Sequence, residues 1–372
     1  MRVLHINCNY MTTALHQKMI EHLDQYTENA VFCPIRKGLE TTTKPDEHVV
    51  APECFNTLDR ALYFVKQAKI RSALEKRIDV SSFQFIHAYT LMTDGNCAMR
   101  LSQKYHIPYC VAIRDTDIND FFRLKPYLIP LGIKIMENAS AVFFLSKAYR
   151  ERMLNDFISA AKRAELEKKM HIVPNGIDDF WLEHRYLDRD IEATLNRLQN
   201  KELNVVCVGQ IIKRKNIPML QEALSILQKK GWKTHLDVIG KKVDNDEYEK
   251  ITSYPDTTYH APVPKEKLIE FYRKSDIFVL PSLTETFGLV YAEAMTQGLP
   301  VIYTKGQGFD QQFAEGVAGY SISPGSPEDI AEKLLQCVDN YAMISGRCWQ
   351  QSAAFNWNDI CLGYYECYQR NI

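Results

Sequence analysis

The chain has 372 residues, of which 45 are basic and 46 acidic, so its formal net charge at pH 7 is −1. This balance argues against a protein that binds nucleic acid or another charged polymer through bulk charge. Hydrophobic residues make up 46% of the chain and aromatic residues 11%, which is typical of a globular protein with a sizeable core. The length is sufficient for two domains of ordinary size.

Hydrophobicity and cysteine usage indicate the compartment. The sequence has no run of about 18 apolar residues that would predict a membrane-spanning helix. The N-terminus leads directly into a strand-like segment, without the apolar region of a signal peptide. The ten cysteines are scattered without a C-x-x-C pair, and Cys110 and Cys207 lie within apolar runs. We therefore expect reduced core thiols and a cytoplasmic protein.

Short apolar strands alternate with helical stretches in both halves of the chain. This alternation predicts, in each half, a parallel sheet covered by helices on both faces. The pattern restarts near residue 200, after a charged segment. We predict two doubly wound α/β domains, residues 1–180 and 200–355, facing a cleft. The predicted strands are 3–7, 30–35, 83–88, 109–113, 141–145, 205–208, 236–239, 277–280 and 301–304.

The stretch 281–308 combines a turn, a helix N-terminus and two carboxylates. A buried strand ends before it, and the turn leads into a helix predicted over 289–297. Free amides and the helix dipole at that point favour a phosphate. Glu285 precedes the helix and Glu293 follows about two turns later; carboxylates accept hydrogen bonds from the vicinal hydroxyls of a sugar or ribose. A nucleotide-diphosphate sugar would satisfy all three features, although a solvated helix face is the alternative for either glutamate alone.

This stretch resembles the E-x7-E region of the retaining family-4 glycosyltransferases, which have the GT-B fold. The resemblance rests on Glu285-x7-Glu293, on the segment 286–289 and on 298–301, which reads Gly-Leu-Pro-Val. It implies that Glu285 approaches the donor sugar as a catalytic residue, and that Glu293 binds the ribose. The donor-binding residues that it implies here are Thr286, Phe287, Gly288, Leu289 and Glu293.

A basic loop follows the predicted strand at 205–208. Gly209 lets the backbone turn sharply, and three cations, residues 213–215, follow within one helical turn. Such a cluster would neutralise a diphosphate leaving group, whereas a solvated loop is favoured for the first two cations. In the family resemblance, Lys215 stands at the position of the family's lysine, and Gln210 replaces its usual arginine. Gly209, Gln210 and Lys215 are therefore assigned to the donor site, with Lys215 also catalytic.

Two further segments resemble parts of the family's site. Residues 260–264 resemble the segment whose backbone reads the nucleobase, which assigns Val263 to donor binding; a plain strand–loop–helix junction is the alternative. Residues 113–119 resemble a segment in which a histidine of some members contacts donor sugar and phosphate, which implies a catalytic role for Arg114. Asp117 would orient Arg114 or an acceptor hydroxyl, and a structural salt bridge between these two is the alternative.

Three further segments bear on a metal site, the acceptor and a membrane contact. Residues 115–117 have D-x-D spacing, but short matches arise by chance and this one lies in the half opposite the donor, so we predict no metal site. Residues 8–13 replace the family's Gly-Gly loop near the acceptor, so the acceptor is not carried over. The basic stretch 60–77 could touch an anionic membrane that holds a lipid-linked acceptor, although a solvated helix face is favoured.

The sequence thus predicts a retaining, metal-independent hexosyltransferase that uses a nucleotide sugar, with UDP favoured. Its acceptor would be a glycan or lipid-linked saccharide in cell-surface polysaccharide synthesis. No cofactor and no nucleic-acid partner are expected, and the protein would be cytoplasmic or peripheral at the inner face of the membrane. The resemblance also implies that a C-terminal helix, 356–372, joins the first domain. The alternatives are a non-catalytic sugar-binding subunit and a nucleotide-sugar epimerase, both on the same fold.

Overall fold

The computed structural model describes residues 1–42, 45 and 47–372. It divides into two α/β units: the first comprises residues 1–176 and 357–372, and the second comprises residues 177–356. No helix in this described part of the chain is long and apolar enough to cross a bilayer. All ten cysteines are described and are free thiols, and Cys110 and Cys207 are fully buried, as predicted.

The first unit is built on a parallel sheet. Its strands are β1 (Arg2–Ile6), β2 (Glu28–Phe32), β3 (Ile35–Arg36), β4 (Val49–Val50), β5 (Glu53–Phe55), β6 (Phe85–Ala88), β7 (Tyr109–Ile113), β8 (Ala141–Phe144) and β9 (Met170–Ile172). Seven of these form one sheet in the order β4-β2-β1-β6-β7-β8-β9, and β3 pairs with β5. The helices are α1 (Leu15–Leu23), α2 (Tyr63–Glu75), α3 (Asn96–Tyr105), α4 (Ile129–Asn138), α5 (Lys147–Asp156) and α6 (Ala160–Glu167). The central strands β6, β7 and β8 are buried along their whole length, as expected of a parallel sheet covered on both faces.

The second unit repeats this architecture. Its strands are β10 (Glu202–Val208), β11 (Lys233–Ile239), β12 (Thr257–His260), β13 (Ile277–Leu280), β14 (Val301–Thr304) and β15 (Gly319–Ile322). Its helices are α7 (Asp179–Glu183), α8 (Ile191–Gln199), α9 (Ile217–Lys229), α10 (Asn245–Thr252), α11 (Lys265–Lys274), α12 (Leu289–Thr296), α13 (Pro327–Asp339) and α14 (Tyr341–Gln351). The strand order is β12-β11-β10-β13-β14-β15, so the chain reverses its direction of sheet growth between β10 and β13. In the first sheet the corresponding reversal lies between β1 and β6, and ligands of doubly wound sheets bind outside the carboxyl ends of strands at such points.

Short helical turns connect these elements. Turns of 3₁₀ type are Tyr10–Thr12, Leu58–Arg60, Val80–Ser82, Pro126–Leu128, Lys213–Lys215 and Ser352–Phe355. Turns of π type are Leu91–Gly95 and Asp117–Phe122, which follow β6 and β7. Both π turns lie after strands of the first sheet, where the predicted residue Asp117 is also found.

Strands at the edges of the two sheets were missed by the sequence prediction. β12 and β15 flank the second sheet, and β4 and β9 flank the first. β12 reads Thr-Thr-Tyr-His and is only half-buried, while β15 reads Gly-Tyr-Ser-Ile. An edge strand needs no continuous apolar run, because one side of it faces solvent, so hydrophobic pattern alone does not reveal it.

The boundary between the units lies at residue 176, which corrects the prediction that the first domain extends to residue 180. The segment 181–199, assigned to neither domain from the sequence, belongs to the second unit. The Arg189 guanidinium explains this attachment, because it donates to the carbonyl oxygens of Ser275 at 2.9 Å and Gln297 at 3.1 Å. The charged segment, which the sequence prediction left outside both domains, is therefore part of the unit that follows.

The C-terminal helix α15 (Trp357–Arg370) belongs to the first unit, where it packs against α1. Trp357, Tyr364 and Tyr368 are buried and form an aromatic stripe on one face of this helix. The Tyr368 hydroxyl forms a 2.6 Å hydrogen bond with Nδ1 of His87 on β6. Residues from the two ends of the sequence thus share one core.

The first unit also buries three histidine rings. His5 forms hydrogen bonds with the Tyr89 hydroxyl at 3.0 Å and with Oδ1 of Asn29 at 2.8 Å. His16 packs edge-on against Tyr89, with ring centroids 4.9 Å apart, and neither of its ring nitrogens has a hydrogen-bond partner among the described residues. Burial lowers the pKa of His5 to about 4 and that of His16 to about 3, and it also lowers the pKa of His87. All three rings are therefore neutral at pH 7.

We predict that His16→Phe makes the protein less sensitive to acid. The folded pKa of His16 is lowered, so the stability from its neutral ring is complete above the unfolded value of about 6.5 and declines as the pH falls towards 3. Between about pH 7.5 and 5, the wild type should lose roughly 2 kcal/mol more unfolding free energy than His16→Phe. Urea unfolding at both pH values measures this. His184→Phe, at an exposed position, is the control. The prediction would be contradicted if His16→Phe lost as much unfolding free energy between the two pH values as the wild type.

Candidate active site

The loops after β10 and β13 meet at the reversal point of the second sheet. The Leu283 amide donates to the Arg214 carbonyl at 2.8 Å, which joins the two loops. The Lys215 ammonium lies on one loop and donates to Oε2 of Glu285 on the other at 2.6 Å. The structure therefore brings together two residues that were predicted separately, 70 positions apart in the chain.

The Lys215–Glu285 ion pair is largely withdrawn from solvent, since each residue is only 8% exposed. The Ser282 hydroxyl donates to the same carboxylate oxygen at 3.1 Å. The Arg214 guanidinium lies 3.9 Å from that oxygen and donates to the Thr284 carbonyl at 2.6 Å. Arg214 is therefore not the purely solvated cation that the sequence favoured. Sequence reasoning missed Ser282, whose position three residues before Glu285 is the available signal.

The backbone of the first loop is shaped around the lysine. A Cβ atom at Gly209 would lie 3.3 Å from Cε of Lys215, so a larger residue would press on the lysine side chain. Asn216, next to the lysine, has a left-handed backbone and donates to the carbonyl oxygens of Pro281 and Pro324 at 3.2 and 2.7 Å. Gln210 is exposed beside Gly209. The loop is thus fixed by close packing and side-chain hydrogen bonds.

Helix α12 begins at Leu289, the last residue of the 286–289 segment that the resemblance assigns to donor binding. Gly288 adopts φ +79°, a left-handed conformation that favours glycine, and the helix follows from Leu289. The Phe287 ring is 2% exposed and contacts Phe309 and Phe355, with centroids 6.0 and 5.8 Å away. Because the ring is anchored in the core, the 286–289 segment can offer backbone amides rather than side chains to a ligand.

Glu293 lies within α12, and its electrostatic environment differs from that of the Lys215–Glu285 ion pair. Its neighbours are Tyr272 on α11 and Asp178 at the start of α7. Burial and the Asp178 charge raise the pKa of Glu293 to about 7. Asp178 itself accepts a hydrogen bond from the Lys265 ammonium at 2.7 Å. Val263 is half-buried in the loop between β12 and α11, close in sequence to that lysine.

The predicted residues of the first unit have more structural roles. The Asp117 carboxylate is fully buried and accepts hydrogen bonds from the backbone amides of Leu91, Met92 and Arg114 at 2.9 to 3.0 Å. The Arg114 side chain donates instead to the Tyr89 carbonyl at 3.1 Å. Asp117 therefore binds the backbone of Arg114, and this favours a positioning role over direct contact with an acceptor.

Asp94 is a buried carboxylate that sequence reasoning did not identify. It lies in the π turn after β6, at the reversal point of the first sheet, and accepts hydrogen bonds from the Thr90 hydroxyl at 3.0 Å and the Cys8 amide at 3.2 Å. Burial raises its pKa to about 7. Asp94 thus anchors the start of the loop 8–13, the segment that the sequence analysis compared with the family's Gly-Gly loop.

The described residues contain no group of three or more histidine, cysteine, aspartate or glutamate side chains that could hold a metal ion. Within the D-x-D motif, Asp117 is already bound to three amides. Independence from metal remains a prediction, and it is tested by the donor assay below.

Comparisons with known proteins identify the fold class. The structure superposes on a sucrose-phosphate synthase from Thermosynechococcus elongatus with a TM-score of 0.75 and 19% identity, covering 99% of this chain and 98% of that one. It also superposes on the Anabaena protein HepE in complex with UDP-glucose, with a TM-score of 0.68 and 16% identity over 100% of both chains. Together with its two Rossmann-like units, this places the chain in the GT-B fold class, as predicted.

Sequence comparison matches the second half of the chain to a family. Residues 188–345 match the family described as Glycosyl transferases group 1. The capsular polysaccharide biosynthesis glycosyltransferase CapM of Staphylococcus aureus is 30% identical over 177 residues, which cover 45% of each chain. Curated relatives of this kind are matched over less than half of their own length. Residues 188–345 thus resemble the group 1 glycosyl transferases, and the predicted family resemblance is supported over this part of the chain.

We predict strong energetic coupling between Lys215 and Glu285. Removing one member of a buried ion pair leaves an unpaired charge, so Lys215→Met and Glu285→Gln should each lower the unfolding free energy by about 3 kcal/mol. The double variant should be much less destabilised than the sum of the two. Urea unfolding of all four proteins measures the coupling.

The exposed pair Lys233–Glu202 in the same unit, with a 3.1 Å separation, provides the matched control. Lys233→Met should cost less than about 1 kcal/mol, because exposed pairs contribute little. Additive effects of Lys215→Met and Glu285→Gln would show that their contact does not stabilise this site.

Proposed function

We propose that the chain is a retaining glycosyltransferase that transfers a hexose from a UDP-sugar to a glycan or lipid-linked saccharide. The observation that carries the proposal is the Lys215–Glu285 pair at the carboxyl ends of β10 and β13, next to the start of α12. The match of residues 188–345 to the group 1 family supports transfer of a sugar, and the UDP-glucose complex of HepE supports UDP as the nucleotide. The role of CapM in capsular polysaccharide biosynthesis supports a place for this chain in polysaccharide synthesis.

In this proposal the donor diphosphate lies between Lys215 and the first amides of α12. The lysine already contacts Glu285 at 2.6 Å, so an arriving diphosphate would share its charge with the carboxylate. As the bond between the sugar and the phosphate breaks, negative charge grows on the phosphate and positive charge on the sugar ring. Lys215 stabilises the first charge, and Glu285 stabilises the second. Gln210 can donate a hydrogen bond but supplies no charge.

The acceptor would attack from the face that the phosphate leaves. The acceptor oxygen forms its bond to the anomeric carbon while the departing phosphate oxygen takes the acceptor proton, so configuration is retained and no protein nucleophile is required. Arg114, 8% exposed in the first unit, would contribute positive charge to the donor. Asp117 and Asp94 would act indirectly, because their carboxylates bind backbone amides near Arg114 and Cys8.

A non-catalytic sugar-binding subunit is the main alternative, and the exposed, uncharged Gln210 is the feature that favours it. An epimerase on the same fold is a second alternative. These three functions differ in their products: a transferase releases UDP, an epimerase changes the sugar of the intact donor, and a binding subunit leaves the donor unchanged.

The protein should hydrolyse a UDP-hexose slowly in the absence of acceptor, with or without excess EDTA. UDP release from UDP-glucose and UDP-galactose, followed by chromatography, is the measurement. Because Lys215 and the α12 amides supply the positive charge, chelation should leave the rate unchanged. Loss of activity in EDTA with recovery on adding Mg²⁺ or Mn²⁺ would overturn metal independence. Absence of UDP release would favour a binding subunit if the donor is recovered unchanged, and an epimerase if its sugar has changed.

The two glutamates should affect catalysis and binding differently. Glu285 would interact with a charge that develops only in the transition state, so Glu285→Gln should lower turnover while UDP affinity stays near normal. Glu293 would hold the ribose equally in ground and transition states, so Glu293→Gln should weaken UDP binding with saturating turnover nearly intact. Calorimetry and saturating turnover measure both, and equal loss of UDP affinity in the two variants would refute the assignment.

The pKa of Glu293 adds a test of its own. A ribose hydroxyl binds the ionised carboxylate, so UDP affinity should fall as the pH drops below about 7, by up to about tenfold per pH unit. Glu293→Gln should lack this component and retain only the titration of UDP itself. A pH dependence that is identical in both proteins would place the ribose elsewhere.

We also propose peripheral contact with an anionic membrane at the first unit. Leu58, Leu62 and Phe64 are 80%, 59% and 63% exposed, which a purely solvated basic helix does not account for. The Lys125 ammonium donates to the Arg60 carbonyl at 2.9 Å, and so joins a second loop with exposed apolar residues to this surface. An apolar ridge with basic neighbours suits a negatively charged bilayer. Flotation with phosphatidylglycerol vesicles tests this contact: the wild type should float with the vesicles, and Phe64→Ser should float less.

A further inference from the structure

Helices α2 and α3 of the first unit enclose a pocket of about 340 Å³ that the donor chemistry does not use. Each helix contributes an amide and, one turn later, a guanidinium: Gln67 and Arg71 on α2, and Asn96 and Arg100 on α3. Residues four apart lie on the same helix face, so both pairs point to the same side of their helix. The exposed Phe64 ring lies at the edge of the pocket.

The two amides are buried and carry unused hydrogen-bond acceptors. Gln67 is 6% exposed and Asn96 is 5% exposed. The Gln67 amide nitrogen donates to the Met92 carbonyl at 3.2 Å, which fixes its orientation. Oε1 of Gln67 and Oδ1 of Asn96 have no hydrogen-bond partner among the described residues. Buried polar atoms are normally hydrogen-bonded, so these two oxygens indicate a ligand that brings donors.

The two guanidiniums are also unused within the described structure. Neither Arg71 nor Arg100 forms an ion pair or a hydrogen bond with another described residue. Glu75, the acid one turn beyond Arg71, is paired with the Lys104 ammonium at 2.6 Å. Two positive charges therefore remain without a counter-charge, and guanidinium groups suit phosphate through paired hydrogen bonds.

We propose that this pocket binds a phosphorylated polyol. The phosphate would lie between Arg71 and Arg100, and hydroxyl groups would donate to the oxygens of Gln67 and Asn96. A phosphate monoester carries up to two negative charges, which match two guanidiniums better than a carboxylate does. The same chemistry is found in a soluble sugar or glycerol phosphate and in the head group of an anionic phospholipid. The pocket belongs to the first unit, and its ligand is independent of the UDP-sugar proposed for the second.

Calorimetry with the full chain, in the absence of any UDP-sugar, tests the pocket. The probes are sn-glycerol 3-phosphate, inorganic phosphate and glycerol. We expect saturable binding of sn-glycerol 3-phosphate, weaker binding of inorganic phosphate and none of glycerol. Arg71→Gln/Arg100→Gln should weaken binding by at least about tenfold, since charge-assisted hydrogen bonds to phosphate are lost. Lys76→Gln, just beyond α2 and outside the pocket, is the matched control and should bind like the wild type.

Vesicles distinguish the two sources of the ligand. If Arg71→Gln/Arg100→Gln weakens flotation with phosphatidylglycerol vesicles as strongly as it weakens binding of sn-glycerol 3-phosphate, the ligand is a lipid head group. If flotation is unchanged in the double variant, the ligand is soluble. Equal affinity of the wild type and the double variant for sn-glycerol 3-phosphate would overturn the proposal. Equal affinity of the wild type for inorganic phosphate and sn-glycerol 3-phosphate would refute the role of the amide oxygens. Urea unfolding verifies that the double variant is folded.

Discussion

The contact between the Lys215 ammonium and the Glu285 carboxylate is the interaction on which the candidate site depends. Withdrawing two charges from water costs free energy, and their attraction offsets that cost only when the geometry is good and the remaining hydrogen bonds are made. Here the hydroxyl of Ser282 donates a second hydrogen bond to the carboxylate, and a backbone hydrogen bond joins the loops that carry both residues. The pair therefore requires that β10 and β13 be neighbours, which is the feature that makes the second sheet doubly wound.

The two glutamates at helix α12, one before it and one within it, lie in different electrostatic surroundings. Glu285, before α12, is bound to a cation, whereas Glu293 lies near another carboxylate and has a pKa raised to about 7. Under the proposed function this difference suits a sugar donor, because Glu285 would respond to the charge that develops on the sugar and Glu293 would hold the neutral ribose hydroxyls. The proposal thus gives a physical reason for two acids separated by seven residues.

Much of the fold could be predicted because buried parallel strands are continuous apolar runs. Ile277–Leu280 was predicted with its observed bounds, and α12 differs from its prediction by one residue. The edge strands and the attachment of Arg189 to the second unit were missed, since neither depends on apolar pattern. In the site, Lys215 and Glu285 were found through their motifs, but their direct contact was not. Ser282 and Asp94 were not predicted, because the role of a single serine or aspartate depends on residues that are close in space but not in sequence.

The position of α15 has a consequence for how the protein is made. The core of the first unit contains Trp357, Cys361 and Tyr368, which are translated after the whole of residues 177–356. During synthesis on the ribosome, the second unit can fold as a continuous segment, whereas the first must wait with part of its apolar surface uncovered. The histidines and tyrosines that line that surface are covered by α15, so the first unit is completed only after the second unit has been translated.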